Sequence, residues 1–147
     1  MSHVCGIIET ALYVQDLQQS VEFYQRVFGF TTLHASERLT ALRVAPGQTL
    51  LIMKRGTSAE PSVMTFGVIP PSDGAGQQHL AFGIRPEQLD GWRDRLQQYG
   101  VAVESALDWP EGGHSLYFRD PDSHCIEIKT SDWNGDPLPL VGSSTLK

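Results

Sequence analysis

The hydrophobic pattern of the first third of the chain changes period at one sharp point. Residues 7 to 14, IIETALYV, alternate as a strand does when only one face is covered. Beyond Asp16 the apolar residues Leu17, Val21, Tyr24 and Phe28 recur at helical spacing and form one face of LQQSVEFYQRVFGF. Asp16 is a side chain suited to cap the first turn, and Gly29 suits the left-handed position that ends a helix. Strands are then predicted over residues 30 to 35, 38 to 45 and 48 to 55, the last two joined by the turn APGQ.

The same order returns later. HLAFGI reads as a strand, PEQLDGWRDRLQQYG as a helix starting near Pro86 and ending at Gly100, and VAVESA, HSLYFRD and HCIEIKT as three strands. The chain is therefore expected to hold a β-α-β-β-β unit twice. Glu9 and His79 lie 70 residues apart, Gly29 and Gly100 lie 71 apart, and Pro46 and Pro121 lie 75 apart, so small insertions keep the copies in register. The modules cover about residues 5–56 and 78–133 of a single 1–147 domain. Between them, residues 57–77 are rich in Gly, Pro and Ser and read as a linker, within which VMTFGVI can hold a short extended piece. Residues 134–147 carry two prolines and no periodicity, and are expected to be irregular or packed across a neighbour.

Alternation sorts the strand residues by face. His79, Ala81 and Gly83 share one side of their strand, and Leu80, Phe82 and Ile84 share the other, which should meet a helix. By the same rule Cys125, Glu127 and Lys129, with Ser115, Tyr117 and Arg119 from the neighbouring strand, point to the side away from the helices. DPDSH reads as a tight turn with structural aspartates at Asp120 and Asp122, and His124 as a turn or edge residue.

Composition narrows the function. The chain has 147 residues, 40% of them hydrophobic, enough for one real core. Its net charge of −6 and the lack of a Lys/Arg cluster with interleaved aromatics argue against nucleic acid as a partner. No apolar run reaches the roughly 18 to 20 residues of a membrane helix, and Met1 to Gly6 does not resemble a signal peptide, so a cytoplasmic protein is expected. Cys5 and Cys125 have no CxxC spacing and are expected to be thiols.

The stretches ETALYVQDLQQSVEFYQRVFGF, QHLAFGI and above all GGHSLYFRDPDSHCIEI resemble the vicinal oxygen chelate superfamily, which includes glyoxalase I, fosfomycin-resistance proteins, extradiol dioxygenases and bleomycin-binding proteins. The resemblance covers nearly residues 7 to 133. It implies an α+β fold of two tandem β-α-β-β-β modules, whose curled, barrel-like mixed sheet carries helices on the outside and holds a metal between its strands. The ligand positions fall on the first strand of each module and the last strand of the second, here Glu9, His79 and Glu127. A fourth ligand of the glyoxalase pattern would come from the last strand of the first module, where aligning Pro46 with Pro121 sets apolar Ile52 opposite Glu127.

Two carboxylates and one imidazole suit one divalent ion from Mn, Fe, Co, Ni, Zn or Mg, and differ from the two-His, one-carboxylate triad of Fe(II) oxygenases. Lewis-acid work on a small substrate chelated through adjacent oxygens is thus favoured over oxygen activation, with lyase, isomerase, epimerase and ring-cleaving reactions all open. Glu127, Tyr117 and His114 are candidate catalytic residues, Glu111 lies in the same loop as His114, and Ser115, Tyr117, Arg119 and Trp109 are candidates for contacting substrate. Trp92 and Trp133 read as core or interface aromatics, and His3 and His34 as surface residues. The competing expectation is a metal-free module that sequesters a drug in an aromatic cleft lined by Trp109, Tyr117 and Trp133. Open sheets with bare edges and apolar patches predict a homodimer.

Overall fold

A computed structural model describes residues 2–131; Trp133 and the tail 134–147 lie outside the described residues. The first module runs β1 (Glu9–Val14), α1 (Leu17–Phe28), β2 (Thr31–Ala35), β3 (Leu39–Ala45) and β4 (Gln48–Lys54). A short hairpin follows, β5 (Ser62–Met64) and β6 (Gly67–Ile69), formed from the apolar piece of the linker. The second module runs β7 (His79–Ile84), a 3-10 turn at Pro86–Gln88, α2 (Leu89–Gln98), β8 (Ser105–Asp108), β9 (His114–Arg119) and β10 (Cys125–Thr130). No helix among the described residues is long and apolar enough to cross a membrane.

The repeat is visible in strand order. One sheet reads β1-β4-β3-β2 and the other β7-β10-β9-β8, with β1 parallel to β4 and β7 parallel to β10. The fold is α+β as expected, although among the described residues its two four-stranded sheets stay separate and do not close a barrel. The helix ends obey the local chemistry: the Asp16 carboxylate accepts from the Gln19 amide at 3.0 Å, and Gly29, at φ 75°, donates to the Gln25 carbonyl.

One core spans both modules. Leu12, Val14, Leu50 and Ile52 from the first sheet join Ile84, Leu116, Phe118, Ile126 and Ile128 from the second, with Tyr24 and Val27 of α1 and Leu96 of α2 packed against them. Phe28 closes the joint, its ring 4.7 Å from that of Phe82 and 5.3 Å from that of Trp92. Among the described residues, no such apolar cluster lies on the opposite sheet faces.

Two readings are corrected. The strand expected over residues 101–106 forms instead at Ser105–Asp108, because Val101 is still held by the helix end, its amide donating to the Leu96 carbonyl. The residue equivalent to Glu127 is Leu51, not Ile52. Glu9 pairs with Thr49 and His79 with Cys125, so the position two beyond each pairing is Leu51 or Glu127. Ile52 lies instead on the buried helix side with Ile128. A one-residue slip moves a side chain to the other face, and an irregular pairing between Arg43 and Ala45 hides that slip from an alignment on the prolines.

The DPDSH turn fastens the modules together. Asp120 accepts from the Tyr24 hydroxyl at 2.7 Å and from the His124 and Asp122 amides at 2.9 and 3.0 Å. Asp122 reaches the first module, accepting from the Gln15 amide and the Ser20 hydroxyl and lying 3.6 Å from Arg55. Ser123 takes φ 65°, as the turn requires. His124 ends the turn, its carbonyl accepting from the Asp120 amide at 3.3 Å, and its side chain turns inward. It is fully buried, accepting from the Gln78 amide at Nδ1 and lying 3.1 Å from the Tyr13 carbonyl at Nε2, so it bridges the two modules.

Candidate functional site

Pairing and alternation assemble one cluster on the face of the second sheet that points away from the core. β10 lies between β7 and β9, with Cys125 beside His79 and Glu127 beside Tyr117. Side chains of odd number therefore project together: His79 from β7, Glu127 from β10, and Ser115 and Tyr117 from β9. Their exposure differs sharply. The His79 side chain is 52% exposed, whereas Glu127 is 5% and Ser115 1% exposed.

The geometry of His79 fixes what it offers. Its Nδ1 lies 2.8 Å from the Cys125 carbonyl, which can only accept, so Nδ1 carries the proton and the lone pair of the neutral ring sits at Nε2. That lone pair faces Glu127 Oε2 at 3.3 Å. Two acceptors, one of them on a carboxylate, do not attract each other unless a positive charge or a proton lies between them. An imidazole nitrogen and a carboxylate oxygen held this way fit a divalent cation.

The other carboxylate oxygen is occupied. Glu127 Oε1 accepts from the Ser115 hydroxyl at 2.6 Å, and Ser115 Oγ accepts from the Trp109 indole N–H at 2.7 Å. Lys129 lies over the Trp109 ring, Nζ to centroid 4.6 Å. Tyr117 is stacked near His79, with ring centroids 6.3 Å apart. Its phenol is pushed above the ordinary range, first by burial and then by the neighbouring negative Glu127.

Glu9 stands apart. It begins β1 as His79 begins β7, and with Ala11 and Tyr13 it faces away from the core that takes Leu12 and Val14. It is exposed, however, and belongs to the other sheet. No three His, Cys, Asp or Glu side chains converge among the described residues of one chain. The structure thus brings His79 and Glu127 together without Glu9.

A family model for the glyoxalase/bleomycin resistance protein/dioxygenase superfamily matches residues 6–128, nearly the whole described chain. The chain belongs to that superfamily. It is 30% identical over 128 residues to the metallothiol transferase FosB of Bacillus licheniformis, covering 86% of this chain and 76% of that protein. The lactoylglutathione lyase structure from Agrobacterium tumefaciens superposes with TM-score 0.81 at 29% identity, over 88% of this chain and 96% of that one. A variant of the fosfomycin resistance protein FosX from Listeria monocytogenes, complexed with Mn(II) and a dihydroxypropylphosphonic acid, superposes with TM-score 0.63 at 25% identity, over 86% and 90%.

Within this superfamily fold the other candidate residues are dispersed. Arg119 is held by Glu104 through Nε and NH2 at 2.6 and 3.1 Å, while its NH1 donates to the Ser123 carbonyl. That ion pair pulls Glu104 below the usual carboxylate range and leaves Arg119 few donors for a ligand. His114 is corrected as a partner of Glu127. It pairs with Asp108 at 2.5 Å, and strand alternation puts both on the face opposite Ser115 and Tyr117, where the His114 amide meets Thr130. Glu111, His3 and His34 are exposed. Ser115 sits behind Glu127 and Trp109 beside Ser115, so neither is displayed as an open substrate contact. A cleft of about 400 Å³ beside α1, lined by Leu17, Val21 and Thr40, belongs to the first module and holds none of these groups.

Sequence reasoning missed Gln78 and His124, which tie the site-bearing sheet to β1: Gln78 accepts from the Tyr13 amide and donates to His124. No spacing rule marks a polar residue just before a strand, and the only signal for His124 was an imidazole beside a conspicuous turn.

Proposed function

We propose that this protein is a divalent-metal-dependent enzyme acting on a small substrate that chelates the ion through adjacent oxygens. The observation that carries the reading is the His79 Nε2 lone pair facing Glu127 Oε2 at 3.3 Å, an arrangement of two acceptors that a cation completes. Glu9 is the third ligand, supplied by a second copy of the chain in a homodimer. Support comes from the placement of Glu9 on a separate sheet, from the 52% exposure of the His79 side chain, and from the exposed apolar residues Ile7, Ile8, Val63, Phe66 and Val68, a surface suited to pairing.

When bound, a divalent ion supplies positive charge that polarises a substrate oxygen and offsets negative charge developing on it. The chain's own residues do the rest. His79 and Glu127 fix the position of that charge, and Tyr117, stacked near His79, presents an O–H to an oxygen of substrate beside it. The hard donor set suits Mn²⁺, Fe²⁺, Co²⁺, Ni²⁺, Zn²⁺ or Mg²⁺, and the Mn(II) complex of the FosX variant favours Mn²⁺ among them. With two carboxylates and one imidazole, Lewis-acid chemistry is favoured over oxygen activation.

Metal titration tests this reading. Wild-type protein is expected to hold one Mn²⁺ per subunit, and Glu9→Gln to weaken that binding beyond the roughly 10- to 100-fold that loss of an outer partner costs. Because Glu9 is an exposed strand end, the substitution should change folding stability by less than about 0.5 kcal/mol. Unchanged affinity in Glu9→Gln would mean that Glu9 is a solvated strand residue. A wild-type protein without stoichiometric metal would instead support the drug-sequestering alternative.

A further inference from the structure

We infer that Ser115 and Trp109 are positioning residues, a one-way hydrogen-bond chain that sets which oxygen of Glu127 is left free; the inference rests on the metal-site reading above. Direction follows from donor chemistry. An indole nitrogen can only donate, so at 2.7 Å the Trp109 N–H occupies an acceptor site of Ser115 Oγ. The Ser115 proton is then directed to Glu127 Oε1 at 2.6 Å, and Oε1 acts only as an acceptor. Oε2 alone faces His79. The chain thereby holds the carboxylate so that one oxygen is committed to the protein and the other to the cation.

Each link is fixed by its own surroundings. Ser115 is 1% exposed, so its hydroxyl depends on protein partners for its bonds. Trp109 begins the tight connection WPEGG between β8 and β9, where its amide donates to the Gly113 carbonyl and its carbonyl accepts from Gly112. Gly112 and Gly113 adopt φ 102° and 93°, open to glycine and strained for other residues. A Cβ on Gly113 would also come within 3.1 Å of Thr130 Oγ1. Lys129 lies over the indole and keeps its plane on the sheet. The loop thus reaches the site through one indole N–H.

The test is a double-mutant cycle read by Mn²⁺ affinity and by the Trp109 indole proton. Ser115→Ala should weaken Mn²⁺ binding about 10- to 100-fold, and Ser115→Thr, which keeps the hydroxyl, should recover most of it. Trp109→Phe keeps an aromatic ring under Lys129 and removes only the N–H. It should weaken binding in the wild-type background and have no further effect in Ser115→Ala. In metal-free protein the indole proton of Trp109, identified by its loss in Trp109→Phe, should exchange with water at least about tenfold faster once Ser115 is alanine. Should Ser115→Ala fail to fold, Trp109→Phe alone decides through its Mn²⁺ affinity.

Wild-type affinity in Ser115→Ala or Trp109→Phe, alongside lost binding in His79→Ala, overturns the positioning chain and leaves the metal site standing. Additive losses overturn the claim that Trp109 acts through Ser115. If wild-type protein takes up no Mn²⁺, the metal-site reading falls and the inference falls with it.

Discussion

Replacing His79 by alanine or Glu127 by glutamine is expected to abolish stoichiometric Mn²⁺ binding, and metal-dependent turnover with it. Each removes one of the two donors that a single chain brings together, so the loss should exceed the roughly 10- to 100-fold expected for an outer partner. The metal-free protein should behave differently. In Glu127→Gln the amide oxygen can still accept from Ser115, while the new NH₂ donates to the His79 lone pair that formerly faced a carboxylate. Thermal melting in chelator is therefore expected to be unchanged or higher in Glu127→Gln, although the site is disabled. Isothermal titration and melting of the same samples check both halves. A Glu127→Gln protein that melts much lower and still binds Mn²⁺ would mean that Glu127 is a structural carboxylate.

The second large effect is expected at the joint between modules. Asp120→Ala leaves the buried Tyr24 hydroxyl and the His124 and Asp122 amides without their acceptor, at a cost of about 3 to 5 kcal/mol. For a chain of this size the melting temperature should fall by on the order of 10 to 20 °C. Asp120→Asn keeps an acceptor and should cost less.

The pH dependence carries a sign. Burial pushes the Asp120 carboxyl above its ordinary 3.8, against the opposing pull of its hydrogen bonds, so the native state holds that proton more tightly than the unfolded chain does. This contribution is fully present below the ordinary value and is lost as pH rises through the native one. Tyr24 follows the same rule from its ordinary value near 10, its phenol being pushed well up by burial and by Asp120. Stability should therefore fall above about pH 10, as unfolded tyrosine ionises and buried Tyr24 does not. Tyr24→Phe should cost about 1 to 2 kcal/mol near neutrality and make the alkaline limb shallower. Denaturant melts across pH measure both limbs. An alkaline limb unchanged by Tyr24→Phe would assign it to other groups.

The fold was legible because two independent periods agree twice over: alternation, then a capped helix, then three strands. Duplicated order is hard to produce by chance, and the strand register of the structure repeats it down to Glu9 and His79 as first residues of equivalent strands. Single-residue register was less legible, as Leu51 and Ile52 show, because both are apolar and composition cannot tell which face each takes. The roles of polar residues were least legible. His124, Asp120 and Tyr24 meet through tertiary packing between segments about 100 residues apart in sequence, and no local pattern encodes that meeting. His114 follows from alternation once the start of β9 is known, and misleads without it. Ser115 and Tyr117 were correctly grouped with Glu127, yet their hydrogen-bond directions needed coordinates.

The most direct test of a metal centre shared between two copies is subunit mixing. Glu9→Gln and His79→Ala proteins, each deficient alone, are unfolded together, refolded at equal concentration and titrated with Mn²⁺. In a mixed dimer, the His79→Ala subunit lends its intact Glu9 to the intact His79 and Glu127 of its neighbour. Random pairing should thus restore about a quarter of wild-type metal stoichiometry, at wild-type affinity. If mixing restores nothing while light scattering shows that mixed dimers have formed, Glu9 does not complete the site across the pair, and the account of a shared metal centre is wrong.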